Sequence, residues 1–200
     1  LCLQRGFTLI ELMVTLSILA FLLLMGGPSF SEWMQNSKLR STAESILAGL
    51  QLAKSEAVSR NTLVRFQLTS TMDDSCVLSA TSANWIVNPD VAATVVGKCA
   101  TLPAAPDELA TSAAPFIIQK HEATNLPVGL TIAAGATSVV FNGLGRPTPA
   151  GGFVVNVTNP TAGLCAIDGG PVTCLSVVVS AAGQVRMCNT RFLLPDPQGC

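Results

Sequence analysis

GFTLIELMVTLSILA, residues 6–20, is an apolar run interrupted by a single acid, Glu11. The apolar character continues to Met25 and stops at Gly26-Gly27-Pro28. Phe7 to Gly27 is 21 residues, enough as a helix to cross about 30 Å of hydrocarbon. A charged side chain at the bilayer centre costs on the order of 3 kcal/mol by insertion scales, and less toward the interface. A plain anchor gains nothing from Glu11, so the acid calls for a partner. A secretory signal peptide would have a shorter apolar core and a small-x-small cleavage site, and none follows Met25. Pro28 lacks an amide hydrogen and crowds the preceding turn, so a kink or local melting of the helix is expected there. Gly26 and Gly27 weaken the helix further.

From Ser31 the pattern becomes one-sided. Leu39, Ala43, Ile46, Leu47, Leu50, Ala53 and Ala57 recur at spacings of three and four, while Lys38, Arg40, Glu44, Lys54 and Glu56 fall largely on other faces. The helix is expected to end near Asn61, and continuous from Phe7 it makes a rod of about 80 Å. Its outer half needs a cover for the apolar stripe, which the rest of the chain supplies as strands. Leu63–Leu68 alternates, with Val64, Phe66 and Leu68 on one side and Arg65 and Gln67 on the other. Further strands are expected at Cys76–Leu78, Trp85–Val87, Pro115–Gln119, Ser138–Phe141, Phe153–Thr158, Leu175–Ser180 and Gln184–Cys188. Asp168-Gly169-Gly170-Pro171 reads as a hairpin tip stapled at its base by Cys165 and Cys174. Asn88–Ala114, rich in Ala, Pro and Thr, reads as a long loop or insertion. The fold class that follows is α+β: a long N-terminal helix, membrane-spanning and then amphipathic, packed on an antiparallel β-sheet head. The expected divisions are 1–6, 7–27, 28–62 and 63–200.

Of 200 residues, 49% are hydrophobic and 12% charged, with a formal net charge of -1. No general electrostatic attraction to nucleic acid or anionic lipid follows from that balance. Apart from Cys2, the cysteines are Cys76, Cys99, Cys165, Cys174, Cys188 and Cys200. None forms a C-x-x-C pair and His121 is the only histidine, so zinc ligation is poorly supported. Disulfides in an oxidising compartment fit better. Six cysteines allow 15 pairings, and neighbours in sequence are favoured because short loops such as 165–174 and 188–200 close readily. There is no tyrosine, no G-x-S-x-G and no H-E-x-x-H, so neither an enzyme nor a cofactor is expected. Asp73-Asp74 could contribute to a calcium loop, although adjacent acids more often cap a turn.

Gly6, Phe7 and Glu11 together resemble the amino terminus of type IV prepilins and type II secretion pseudopilins. The resemblance implies cleavage between Gly6 and Phe7 by a prepilin peptidase and N-methylation of Phe7. It also implies contact between Glu11 and the terminal amine of a neighbouring subunit. The expected leader is then LCLQRG, and loss of Arg5 makes the product about one charge more negative. In pilins a proline at the place of Pro28 marks a segment that can extend during assembly.

Leu39–Leu68 is similar to the GspH/FimT (FimU-like) family of minor pilins and pseudopilins. The matching residues are Ala53, Ser55, Glu56, Ala57, Arg60 and Asn61, where the helix runs into the first strand. Phe141–Pro147, FNGLGRP, and Gly183–Cys188, GQVRMC, sit where that family has glycine-arginine turns. DNA-binding members carry G-R-x-R, but here Gly183-Gln184-Val185-Arg186 supplies one arginine of two. Arg191 and Arg146 are the remaining candidates for phosphate contact, and affinity there needs several neutralised charges. The family implies a minor pilin that primes or caps a type IV pilus, inserted in the bacterial inner membrane with its head in the periplasm before joining the filament. Its partners would be other pilins or pseudopilins, the prepilin peptidase and the inner-membrane assembly platform. The alternatives are an H-type minor pseudopilin of type II protein secretion and a DNA-binding minor pilin for natural transformation.

Overall fold

The computed structural model describes residues 7–90, 94–104 and 115–200, with side chains 24–29 excepted. The expected leader, 1–6, and parts of the Asn88–Ala114 segment lie outside it. Among the described residues one α-helix, α1 (Leu9–Arg60), is followed by eight strands. These are β1 (Val64–Thr69), β2 (Asn84–Pro89), β3 (Gln119–His121), β4 (Thr131–Ala134), β5 (Ser138–Phe141), β6 (Phe153–Thr158), β7 (Leu175–Val179) and β8 (Val185–Asn189). All ladders are antiparallel and form two sheets, ordered β3-β2-β1-β5 and β4-β6-β7-β8. The chain crosses from the second sheet to the first at 135–137, so β4 and β5 are edge strands of different sheets. The head is therefore α+β, with two sheets where one was expected.

The amphipathic half of α1 packs against both sheets. Leu39, Ala43, Ile46, Leu50, Ala53 and Ala57 are all buried, in one core with Phe66 of the first sheet and Phe153 of the second. Phe66 bridges the layers: its ring lies 5.9 Å from that of Trp85 and 6.3 Å, edge-on, from that of Phe153. Trp85 donates its indole N–H to Ser45 Oγ on the helix at 3.1 Å. The helix stops at Asn61, whose φ of 49° is left-handed, and the Asn61 and Thr62 amides close on the carbonyls of Val58 and Ala57. Asparagine is one of the few side chains that tolerates this cap position.

Gly49 makes the helix–sheet contact possible. A Cβ there would meet Phe66 Cε2 at 2.8 Å and Trp85 Cδ2 at 2.9 Å. Helix propensity alone favours alanine by about 1 kcal/mol, but forcing apart two core rings costs typically 1–3 kcal/mol. Gly49→Ala is expected to lower stability by about 1 kcal/mol, read as a lower denaturation midpoint at unchanged slope. A rise in the midpoint would show that the rings move freely.

Several expectations need correcting. The helix is unbroken through Gly26-Gly27-Pro28, so no melting occurs there; flanking turns hold the helix although Pro28 offers no amide to it. Cys76–Leu78 is a loop with one isolated bridge, Leu78 to Thr69. The strand expected at Pro115–Gln119 begins only at Gln119, at the end of a segment that packs Ile117 against the outer face of the first sheet. β4 was not foreseen. The Cys165–Cys174 loop is no hairpin: it holds a 3-10 turn at Ala166–Asp168 and a parallel bridge between Cys165 and Val172.

The outer face of the first sheet also departs from the alternating pattern. Gln67 is buried there with Ile86 and Asn88. A second small core of Cys76, Ile86, Val95, Cys99 and Ile117 covers that face. Lys120 pins the cover by donating to the carbonyls of Cys99 (2.8 Å) and Ala100 (3.1 Å). Buried beside it, Gln67 Nε2 donates to Asn88 Oδ1 at 2.7 Å, and Asn88 Nδ2 to the Pro89 carbonyl at 2.9 Å, as buried amides require.

Candidate functional site

The candidate residues fall at the start of the helix, at its far end, and in the stapled loops. At the start, Thr8 is the N-cap and its hydroxyl accepts from the Glu11 amide at 3.3 Å. The T-x-x-E spacing is that of a capping box, a signal readable in the sequence that the reading of Glu11 as a charge partner passed over. Glu11 also stands in the first turn, where an acid favours the helix dipole. Its carboxylate has no hydrogen-bond or ion-pair partner among the described residues. Phe7 is 77% exposed, and Gly6 lies outside the described residues. Large apolar side chains from Leu9 to Leu23 are all more than half exposed.

The structure brings the two glycine-arginine motifs together over the last turns of α1. In the first, Asn142 organises the turn: its side-chain oxygen accepts from the amides of Leu144 (3.0 Å) and Arg146 (3.1 Å). In the second, Gly183 has φ +81°, and a Cβ on it would stand 1.9 Å from the Gly145 carbonyl oxygen. Only glycine permits that approach. Lys54 donates to the Gly183 carbonyl at 2.8 Å, tying the turn to the helix. The glycines thus serve packing between two turns and the helix.

The arginines have different employments. Arg186 Nη1 donates to the Gly199 carbonyl at 2.9 Å, holding the C-terminal loop. The Arg191 guanidinium lies over the Phe192 ring at 5.9 Å. Arg146 is exposed. Two of the three are therefore engaged within the head.

The six cysteines pair as Cys76–Cys99, Cys165–Cys174 and Cys188–Cys200, each with its neighbour in sequence. Asp73 and Asp74 both act in turns. Asp73 Oδ1 accepts from the Ser75 hydroxyl, the Ser75 amide (2.7 Å) and the Thr71 hydroxyl (3.0 Å). Those bonds, Ser75's foremost, hold the Asp73 carboxyl below its ordinary range. Asp74 accepts from the Ala100 amide at 3.2 Å, across the Cys76–Cys99 bridge. A lowered folded-state value stabilises the fold above the unfolded value near 4, and that contribution disappears as pH falls through the folded value. Asp73→Ala is accordingly expected to lower the melting temperature slightly at neutral pH and to leave it level with the parent in strong acid. A difference that persists in strong acid would mean that the carboxylate is not its source.

The Prokaryotic N-terminal methylation motif matches residues 2–27, and the family model described as Type II transport protein GspH matches residues 42–183. The chain belongs to the GspH family. That match takes in most of the buried half of the helix, the first sheet, β4, β6 and β7 of the second, and the first glycine-arginine turn, and it ends at Gly183 where the second turn begins. Two crystal structures of the Pseudomonas aeruginosa (strain PAO1) type IV minor pilin FimU are similar to it at 20% identity. One has a TM-score of 0.44 over 74% of this chain and 90% of that one. The other has 0.48 over 78% and 91%. No curated protein sequence matches the chain. Among the described residues, where the apolar run is followed only as far as Leu23, no helix is long and apolar enough to cross a membrane.

Proposed function

We propose that this GspH-family protein is a minor pilin. Phe7–Gly27 holds it in the bacterial inner membrane, cleavage between Gly6 and Phe7 frees the amino terminus, and Phe7 is then methylated. The subunit joins a type IV pilus to prime or cap its assembly. It works by packing, and needs no cofactor. Its partners are other pilins, the prepilin peptidase that cuts it and the platform that draws it from the membrane.

One observation carries this reading: a single helix that is buried on one face in its second half and exposed all round in its first. Leu9, Ile10, Phe21, Leu22 and Leu23 are 77%, 72%, 59%, 61% and 67% exposed. Such a surface needs lipid or other apolar helices around it. Glu11 is the one charge from Phe7 to Leu23, and an amine from a neighbouring subunit answers it.

A second reading, a minor pseudopilin of type II secretion, is favoured by the description of the matched family. Filaments sheared from cells and read by mass spectrometry separate the two. A methylated Phe7 peptide in the sheared pilus fraction is the expected result. A processed protein confined to the inner membrane, with secreted enzymes lost on deletion of its gene, assigns it to secretion.

A further inference from the structure

The head has two ends, and its exposed apolar side chains are concentrated at one of them. β7 starts beside helix residues 33–40 and β8 ends there: Asn36 Oδ1 accepts from the Thr173 amide at 2.9 Å, and Asn36 Nδ2 donates to the Pro171 carbonyl at 3.1 Å. The loops at 126–130, 159–174 and 189–200 therefore gather at the end of the head that faces the apolar stem, and the Thr161 hydroxyl ties the first two by donating to the Val128 carbonyl. Val128 is 89% exposed, Leu164 67%, Ile167 47%, Leu193 72% and Leu194 66%. The opposite end, around the last turn of the helix, exposes Val58, Leu63 and Leu144. Disulfides staple two of these loops. The three loops carry only Asp168, Arg191 and Asp196 as charged residues, one cation against two acids, which offers little to a charged partner.

The helix sets the height of this collar. Gly27 to Asn36 rises about 14 Å and the headgroup layer beyond the hydrocarbon is about 5–8 Å thick on each side, so loops that reach headgroup depth hang about 6–9 Å below Asn36 toward the stem. Trp33, 64% exposed and 5.9 Å from the Phe30 ring, stands between them, where an indole is at home in a bilayer interface. We propose that the collar formed by Val128, Leu164, Ile167, Leu193 and Leu194 rests on the bilayer surface at headgroup depth while the subunit waits in the membrane. The proposal rests on the membrane-anchored reading given above. The head then stands upright on its stem, held by shallow apolar contacts that a rising filament can break.

The test uses the full chain in phosphatidylcholine vesicles, with Trp33→Phe combined with Leu193→Trp, each spectrum taken as a difference from Trp33→Phe alone so that buried Trp85 cancels. The expected result is blue-shifted emission from the introduced indole, quenched about twofold or more better by lipids brominated near the headgroup than by lipids brominated near the chain end. Protein that stays in the vesicles through alkaline washing, with an indole unquenched and open to iodide, overturns the docking and leaves the anchor intact. Protein that washes off overturns both. Emission that is blue-shifted without quenching and grows with protein density assigns the face to a second copy, and overturns the lipid assignment.

Discussion

Phe66→Ala is expected to destabilise the head by about 3–5 kcal/mol, the range for deleting a fully buried phenylalanine. Phe66 is inaccessible to solvent and touches all three layers: Gly49 on the helix, Trp85 beside it on the first sheet, and Phe153 across on the second. A cavity at such a junction cannot be filled by moving one element, because each is held by its own ladder. The loss is a large part of the roughly 5–15 kcal/mol that stabilises an ordinary domain. Chemical denaturation of the oxidised protein, followed by Trp85 fluorescence, checks it. Phe66→Leu, which keeps most of the volume, is expected to cost much less. Equal losses from the two would locate the effect in something other than packing.

Glu11→Ala is expected to leave the protein cleaved and membrane-bound but to lower its content in sheared filaments ten- to a hundredfold. The physical basis is the penalty of leaving a terminal amine unanswered among apolar helices, on the order of 3 kcal/mol, where 1.4 kcal/mol is tenfold. The capping role of Glu11 predicts far less: its amide, which Thr8 receives, survives the substitution, and the lost acid costs the helix end only about 0.3–1 kcal/mol. Glu11→Gln keeps the side-chain volume and removes the charge, so it should behave like Glu11→Ala if charge is the cause. Normal incorporation of either variant would end the charge-pairing account.

The helix could be read from the chain, and neighbouring cysteines could be favoured as pairs among the 15 pairings, because both rest on local spacing. Leu39–Ala57 repeats at helical spacing, and Cys165–Cys174 and Cys188–Cys200 close short loops whatever surrounds them. The outer face of the first sheet could not be read so. Gln67 stands where a solvent-facing residue belongs, and only the arrival of Val95, Cys99 and Ile117 from distant segments buries it. β4 escaped notice because Thr131–Ala134 is short and half alanine, a weak strand former, made a strand by pairing with β6. The glycine-arginine turns were visible one at a time. Their meeting over Lys54 is a property of the two-sheet topology, and no spacing in the sequence encodes it.

The unbroken helix has a mechanical consequence. The stem and the central layer of the head are the same rod, so a pull along the stem reaches the head without passing through a hinge or linker. Between Leu39 and Ala57 the rod is gripped over about 27 Å by side chains from both sheets, which an axial force loads side by side in shear. Contacts loaded together share the force, whereas a peeled edge yields one contact at a time. The join between stem and head is thus one that an axial force must break as a whole, in shear, rather than contact by contact.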